Sequence, residues 1–540
     1  METQLTRRDT PSLLAVNVFL LLGILIIIGI GSIEESVLPQ YVMAVAGELV
    51  LVLIVLLFVR IEGLSVRETL RLRWPGWPAL ALSVVLAIGL WMAGVILNVV
   101  TMLVFGYSTP VSPSAFPKDG GDAMALLLAT VVAAPLCEEV AFRGYVQRAY
   151  DRGGRWAGLL TGGLIFAMYH LRFQGLFALL PVSFALGFVA WRSHSLLPAM
   201  LLHAVYNSIA ALLMIATSFF SMQVVAVLVF ALVCLGLLML PLALGALWLL
   251  WRRTSPPASV TRPKLAGWRR WGWAIPLFAL LLVYGYAAVL EVVVGRFPEI
   301  LAVDHIALQS PGSWDSITHW RYAIHNRLDQ PVGDAECAFS TPSGTFALAC
   351  RAHQDAFDSG LPLDMPLLDR LLTGEERAWQ QDVTWSREDL RLLALDGTRE
   401  GQGDVVTWAL SPVDGTGRLT ADGGKGEVSE ISVPVDVLVA GEWPWRLAAL
   451  PFEMGYGGHL PFAWIDDTGE AQVSEAYVGV RGGEPVWTPA GAFVTWKVTV
   501  TYEDAVGEEL TLSAWYDTEV PHTLVRYDEG NVSYVLAEIQ

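Results

Sequence analysis

Charged residues are scarce in this chain of 540 residues, and basic residues are the scarcer kind. Charged side chains make up 16% of the sequence, and 34 Lys and Arg stand against 52 Asp and Glu, for a net charge of −18. Proteins that bind nucleic acids need Lys and Arg clustered on a folded face. The strong net acidity therefore argues against a nucleic-acid-binding protein.

Hydrophobic residues are abundant, at 54% of the chain with a mean hydropathy of +0.50. A soluble globule has no core large enough to bury that much apolar surface. Residues 1–296 carry 20 Lys and Arg against 13 Asp and Glu, whereas residues 297–540 carry 14 against 39. The chain thus divides into a weakly basic half that must lie in lipid and a strongly acidic half that anionic lipid does not attract.

Nine apolar stretches mark the first half, and most of them reach the roughly 20 residues that cross a hydrocarbon layer about 30 Å thick. Lipid offers backbone amides no partner, so the stretches must be helices. The first one lacks a small-residue cleavage site, which favours a retained helix over a signal peptide. The stretches span residues 13–33, 41–59, 79–105, 122–142, 156–171, 176–191, 195–219, 224–251 and 273–294, of which the fifth and sixth are short.

The distribution of basic residues predicts the orientation of these helices. With the N-terminus in the cytoplasm, 17 Lys and Arg fall in cytoplasmic loops, and only Lys118, Arg172 and Arg296 fall outside. This is the asymmetry that the positive-inside rule describes. We therefore predict an integral protein of the plasma or inner membrane with eight helices in residues 1–253, a basic cytoplasmic linker over 254–272 and a ninth helix over 273–296. Residues 297–540 then lie outside the cytoplasm.

Cysteine is rare, with four residues in the chain. Cys337 and Cys350 flank an alternating segment around the turn signal Ser343-Gly344, which is typical of a β-hairpin. Cysteines paired across such a hairpin predict a disulfide, which persists only in an oxidising compartment. The alternative is a pair of buried free thiols. Cys137 and Cys234 lie in membrane helices, where we expect them to serve packing.

The acidic half contains many short alternating runs separated by Gly, Pro and Asp. This pattern predicts a mainly antiparallel β domain, built as a sheet, a sandwich or an open barrel. Residues 355–391 are richer in Leu and charge, and a helix is expected within them. Near the end of the chain, Pro489-Ala490-Gly491-Ala492-Phe493 leads into paired strands, a pattern that loosely resembles curved-sheet envelope lipoprotein domains that hold apolar ligands. The clearest strands are predicted at residues 405–410, 430–439, 476–480, 493–502, 510–516 and 523–527.

Three groups of polar residues stand out in the apolar half. An ionisable side chain inside a membrane helix costs about 2.5 kcal/mol or more, and so points to function. The groups are Glu138-Glu139-Val140-Ala141-Phe142-Arg143, Phe166-Ala167-Met168-Tyr169-His170 and His203-Ala204-Val205-Tyr206-Asn207. Glu48, Asn17 and Asn98 in other helices are expected to form hydrogen bonds between helices. Glu291 is expected near the outer interface.

Helical spacing predicts roles within these groups. Glu139 and Arg143 are four residues apart and can form an ion pair on one helical face. Glu138 is then left to face a cavity as a general base. His203 and Asn207 are also four apart and share a face. Together with His170 they complete a hydrolytic site made of a base, two imidazoles and an amide.

These residues match, in order, the motifs of the CPBP family of intramembrane proteases, which includes the type II CAAX prenyl endopeptidases. The motifs are a Glu-Glu pair with Arg four residues after the second Glu, then Phe-x-x-x-His, then His-x-x-x-Asn. This chain carries all three over about residues 122–219. The resemblance does not extend to the acidic domain. A single motif would be weak, but three in order on separate helices form a specific signal.

The resemblance implies peptide-bond hydrolysis of a membrane-embedded or lipidated substrate. Glu138 would activate water with help from His170, while His203 and Asn207 would stabilise the oxyanion. A zinc site formed by Glu138, His170 and His203 is the alternative. The sequence shows neither His-Glu-x-x-His nor an orienting carboxylate beside either histidine, so a mechanism without metal or other cofactor is favoured.

A second functional hypothesis is a catalytically idle scaffold or immunity factor whose β domain binds a protein or an apolar ligand.

Helix lengths test the hydrolase hypothesis, because the helices that carry Glu138 and His170 start from opposite faces of the membrane. If both helices ran straight from residues 122 and 155, the two side chains would differ in depth by about 16 Å. We therefore predict a bend at Pro135 and a connection over residues 171–174 that dips into the bilayer.

Overall fold

A computed structural model divides the chain into two compact units, Met1–Thr109 with Pro117–Arg296, and Pro110–Phe116 with Phe297–Gln540. The boundary after Arg296 coincides with the predicted start of the acidic domain. Of the predicted linker over residues 254–272, only Gly272 lies within the described residues. The structure describes residues 10–539 except 32–39, 72, 109–110, 152–153, 254–271, 304–305, 307, 309–318, 359–372, 402–403, 414–415, 425–427, 435 and 467–468.

The first unit is a helical bundle. Its described residues include eight helices long and apolar enough to cross a membrane and a shorter apolar helix between the fourth and fifth of them. The predicted polytopic bundle of about nine helices is confirmed, although the sixth helix is longer than predicted. The helices are α1 (Leu13–Gly31), α2 (Gln40–Ile61), α3 (Trp77–Phe105), α4 (Gly120–Tyr150), α5 (Arg155–Tyr169), α6 (Phe173–Ser193), α7 (Leu197–Phe219), α8 (Met222–Arg253) and α9 (Ala274–Arg296).

Helix α4 is not a regular α-helix. It contains two π-helical stretches, Leu128–Ala133 and Glu139–Val146, on either side of the α-helical segment Ala134–Glu138. Pro135 has no backbone N–H to donate, which removes one α-helical hydrogen bond at this point. Stretches of π-helix often mark functional sites. The bend at Pro135 stays a prediction.

The connection from α5 to α6 is a tight turn whose backbone is satisfied by another helix. Leu171 has a left-handed φ of 53°. The amides of Phe173 and Gln174 donate to the carboxylate of Glu291 at 2.6 and 2.9 Å. Glu291 lies five residues before the end of α9, about 8 Å along its axis. The dip of this connection into the bilayer stays a prediction.

The second unit is built on one large sheet. Its 15 strands are joined in the order β10-β9-β8-β7-β6-β3-β2-β1-β17-β16-β15-β14-β13-β12-β11, and β4 and β5 pair separately. The strands are β1 (His319–Asn326), β2 (Pro331–Ser340), β3 (Thr345–Gln354), β4 (Phe357–Asp358), β5 (Thr373–Gly374), β6 (Arg377–Ser386), β7 (Leu392–Gly401), β8 (Asp404–Val413), β9 (Thr416–Asp422), β10 (Val428–Val433), β11 (Leu438–Val439), β12 (Gly457–Ile465), β13 (Ala471–Thr488), β14 (Gly491–Glu503), β15 (Glu509–Asp517), β16 (Leu524–Glu529) and β17 (Val532–Ile539).

Neighbouring strands of the large sheet run antiparallel, apart from the short parallel pair β11 and β12. The predicted antiparallel β domain is thus confirmed. The expected helix over residues 355–391 is wrong for the described part of that range, which contains strands β4 to β6, and residues 359–372 lie outside the description. In β6, Gln381, Val383 and Trp385 are buried and the residues between them are not, which is the alternation of a strand with one face in a core.

The predicted hairpin is formed by β2 and β3. Cys337 lies directly opposite Cys350 in the register, and Gly344 supplies the positive φ of 80° that the turn requires. The two cysteines form a disulfide, with their Cα atoms 4.1 Å apart. Both side chains are buried in the core of the sheet.

A short helical segment, Trp443–Arg446, fills the core of this unit. Trp443 and Trp445 are buried, and the hydroxyl of Tyr516 donates to the carbonyl of Pro444 at 2.6 Å. The indole of Trp385 donates to the carboxylate of Glu442 at 3.0 Å. The segment and the preceding Glu442 therefore contact β15 and β6, two strands that are distant in the chain.

Candidate active site

The buried centre of the site is the ion pair between Glu139 and Arg143 on α4. Their Oε1 and Nη1 atoms are 3.0 Å apart, and the side chains are 0% and 2% exposed. Arg143 also donates to the carbonyl of Ser183 on α6 at 3.2 Å, and its guanidinium lies 3.9 Å from the ring centroid of Phe166 on α5. The four-residue spacing predicts this pair, and the contacts of Arg143 join three helices around it.

His203 on α7 is held between the two adjacent glutamates. Its Nδ1 atom is 2.9 Å from Oε1 of Glu139, and its Nε2 atom is 3.8 Å from Oε2 of Glu138. An ionised carboxylate can only accept, so Nδ1 carries the hydrogen and Nε2 points towards Glu138. The expectation that no carboxylate orients either histidine is therefore wrong for His203, because Glu139 reaches it from 64 residues away.

His170 at the end of α5 has a different support. Its Nδ1 atom is 3.0 Å from the carbonyl oxygen of Phe166. Because that oxygen can only accept, Nδ1 is protonated and Nε2 has a lone pair when the ring is neutral. The ring of Phe166 makes edge contacts with His170 and with His203, at centroid distances of 5.0 and 5.8 Å. The ring of Phe166 therefore packs against both imidazole rings.

Asn207 lies one helical turn beyond His203 on α7. Its amide donates to the carbonyl of Thr130 at 2.9 Å, and Thr130 belongs to the first π-helical stretch of α4. An amide carries two N–H bonds, so this contact leaves one for another acceptor. The hydrogen bond fixes Asn207 against the helix that carries Glu138.

The zinc alternative requires three donors that converge on one point. Across the described residues, which include Glu138, His170 and His203, there is no group of three His, Cys, Asp or Glu side chains suited to hold a metal ion. A zinc ion needs at least three such protein donors about 2 Å away. The donor set of the described residues thus does not fit zinc.

Glu48 belongs to the site, although the sequence predicts for it only a hydrogen bond between helices. Glu48 on α2 makes a side-chain hydrogen bond with Glu138. This bond joins α2 to α4, and its partner Glu138 is the predicted general base. The signal was a lone carboxylate in the middle of a helix whose other residues up to Arg60 are uncharged.

Comparison with known proteins bears on the same segment. Residues 120–209 match the family model described as "Type II CAAX prenyl endopeptidase Rce1-like". The match covers every site residue predicted in the membrane bundle, and it confirms the resemblance to the CPBP family over that range. At the family level it supports an intramembrane peptidase of the CAAX-protease type in an integral membrane protein.

The remaining comparisons are less informative. No curated protein matches the chain. Two solved structures are similar to 44% of this chain over 100% of their own length, each at 11% identity. One is a candidate lipoprotein from Parabacteroides distasonis, with a TM-score of 0.16. The other is a candidate exported protein with a YmcC-like fold from Bacteroides fragilis, with a TM-score of 0.15.

Proposed function

We propose that this protein is an intramembrane endopeptidase in which Glu138 activates the attacking water. The observation that carries the proposal is the position of His203, which Glu139 holds by Nδ1 while its Nε2 faces Glu138 at 3.8 Å. A base beside an imidazole that a third group orients is the arrangement that hydrolytic catalysis uses. The match of residues 120–209 to the CAAX-protease family supports the same reading.

The proposed reaction assigns one task to each side chain. Glu138 removes a proton from water, and the oxygen attacks the scissile carbonyl. The Nε2 lone pair of His170 accepts a hydrogen bond from the water and orients it. The second N–H of Asn207 stabilises the tetrahedral oxyanion, and His203 does the same from Nε2 when both of its ring nitrogens carry a hydrogen, with Nδ1–H still donated to Glu139. The proton on Glu138 then passes to the leaving amine.

A direct test uses the full-length protein in liposomes with two probes, a transmembrane peptide and a peptide with a prenylated C-terminus. In water enriched in ¹⁸O, we expect one ¹⁸O atom in the new C-terminal carboxyl group of the product. Products without the label would exclude attack by water. Cleavage of neither probe, nor of a wider set of membrane peptides, would count against a protease.

The same assay tests metal dependence. Treatment with a chelator followed by removal of the chelator is expected to leave the rate unchanged within about twofold, because the donors do not converge on a metal position. A matched sample receives zinc after the treatment. Loss of activity that zinc restores would replace the glutamate mechanism with a metal-dependent one.

We further propose that the N-terminus lies in the cytoplasm and the β-rich unit outside it. The bias of 17 basic residues to 3 supports this orientation. Nine crossings from an N-terminus in the cytoplasm place the residues after Arg296 outside it.

The disulfide provides a test of that orientation and of stability. Replacing Cys337 and Cys350 by Ser is expected to lower the stability of the β-rich unit by about 2–4 kcal/mol, because the bond closes a loop in the unfolded chain. Cys234→Ser is the control, since Cys234 is an exposed free cysteine. Because both side chains are buried, protein from cells is denatured without reductant before thiol alkylation, which should leave Cys337 and Cys350 unlabelled. Labelling of both would place the unit in a reducing compartment.

A second candidate function is suggested by a cavity of about 200 Å³ in the β-rich unit. Aromatic side chains and the charged residues Arg377, Arg399 and Glu529 line it. The mixed lining favours a small ligand with a ring and a polar group over a wholly apolar one. Membrane-peptide turnover that is identical with and without Glu138 would favour this binding role over the protease.

A further inference from the structure

Glu48 lies against the proposed general base. Its carboxyl group is hydrogen-bonded to that of Glu138 across the interface of α2 and α4. The Oε2 atoms of both residues are buried and accept from no donor group among the described residues. The carboxyl group of Glu138 thus contacts Glu48 and also faces Nε2 of His203 at 3.8 Å.

A hydrogen bond between two carboxyl oxygens requires a proton, because ionised carboxylates only accept. Two ionised carboxylates within hydrogen-bonding distance of each other would also repel strongly in a medium of low dielectric constant. A pair of acids in this position therefore keeps one proton in common and titrates as a unit. Glu48 and Glu138 together then carry one negative charge and one transferable proton.

Within the part of the chain that the structure describes, no ion pair joins Glu48 to an Arg, Lys or His. Arg143 is engaged by Glu139, and His203 by Glu138 and Glu139. The other titratable groups within electrostatic range of Glu48 are the thiol of Cys137 and the hydroxyl of Tyr169. Both are neutral hydrogen-bonding groups at neutral pH. A proton shared by Glu48 and Glu138 therefore reduces the negative charge on the pair.

We propose that Glu48 is a positioning residue for the reaction and that it holds one proton in common with Glu138. The inference rests on the proposed function. The shared proton directs the basic oxygen of Glu138 towards His203, where the water must lie, and it keeps Glu138 from rotating away.

The proton balance of hydrolysis closes on this pair. The pair starts with one proton and gains a second when water gives up a proton and forms the C–O bond. As the C–N bond breaks, one proton moves from Glu138 to the leaving nitrogen. The pair returns to its starting state with one proton, and no other reactant is needed.

A spectroscopic test does not depend on catalysis. At neutral pH, the infrared difference spectrum between wild type and Glu48→Gln should show loss of the carbonyl stretch of a protonated carboxyl group. In Glu138→Gln the same band should move, because its hydrogen-bond partner changes from a carboxyl group to an amide. Glu62→Gln is the matched control, since Glu62 accepts from the amide of Ser12 and the hydroxyl of Tyr145 instead of pairing with an acid. A spectrum of Glu48→Gln without this loss would overturn the shared proton even if the protein cleaves peptides.

A kinetic test separates positioning from packing. Gln keeps the size and the hydrogen bond of Glu48 but holds no transferable proton, so Glu48→Gln should lower kcat by about 10²-fold with KM within about threefold. Glu48→Asp keeps the acid and should recover part of kcat. A purely structural role predicts the reverse order, with Gln tolerated and the shorter Asp impaired. Equal kcat in wild type and Glu48→Gln would reject this inference alone, whereas an inactive wild type would reject the protease.

Discussion

Glu138→Gln is expected to lower kcat for peptide cleavage by about 10³-fold, the scale of a lost general base. The amide has nearly the same size as the carboxylate and can keep the hydrogen bond to Glu48, but it cannot accept a proton from water. Because the proposed task of Glu138 is proton transfer and not substrate binding, KM should change little. The measurement is the rate of product formation from a membrane peptide in liposomes, at saturating and at limiting substrate.

Glu62→Gln is the matched control for this substitution. Glu62 follows α2 in the same unit, and its contacts are with Ser12 and Tyr145, outside the site. Its replacement should leave kcat within about twofold, since it takes no part in proton transfer. Turnover by Glu138→Gln equal to that of wild type, with both variants folded, would remove Glu138 from the mechanism.

Arg143→Gln is expected to cost about 3–5 kcal/mol of stability, because it leaves the carboxylate of Glu139 buried without its cation. Arg143 is 2% and Glu139 0% exposed, so water cannot replace the lost contact. The substitution also removes the contacts of the guanidinium with the carbonyl of Ser183 and the ring of Phe166. Reversible unfolding in mixed micelles measures the free energy.

Two further variants isolate the cause of that loss. Arg73→Gln breaks an ion pair with Glu68 in which both side chains are about half exposed, and it should cost about 1 kcal/mol or less. The double variant Glu139→Gln/Arg143→Gln removes both charges and should be more stable than Arg143→Gln alone. A double variant that is less stable than the single one would show that packing, not the unpaired charge, sets the cost.

Local features of this protein could be predicted from its sequence. The apolar runs predict the membrane helices because a helix satisfies its own backbone within lipid. The spacing of Glu139 and Arg143 predicts their ion pair, since residues four apart share a helical face. The alternation around Ser343-Gly344 likewise predicts the hairpin that brings Cys337 opposite Cys350. Each of these contacts joins residues whose geometry is decided by a short stretch of backbone.

The tertiary structure decided which distant residues meet. His203 reaches Glu139, and Glu48 reaches Glu138, only because α2, α4 and α7 pack together. Similarly, the sequence allowed a sheet, a sandwich or an open barrel, and one sheet of 15 strands is formed. Helix packing and strand order depend on the sum of many weak contacts over the whole chain. The periodicity of a short sequence segment therefore cannot predict which helices pack together or which strands pair.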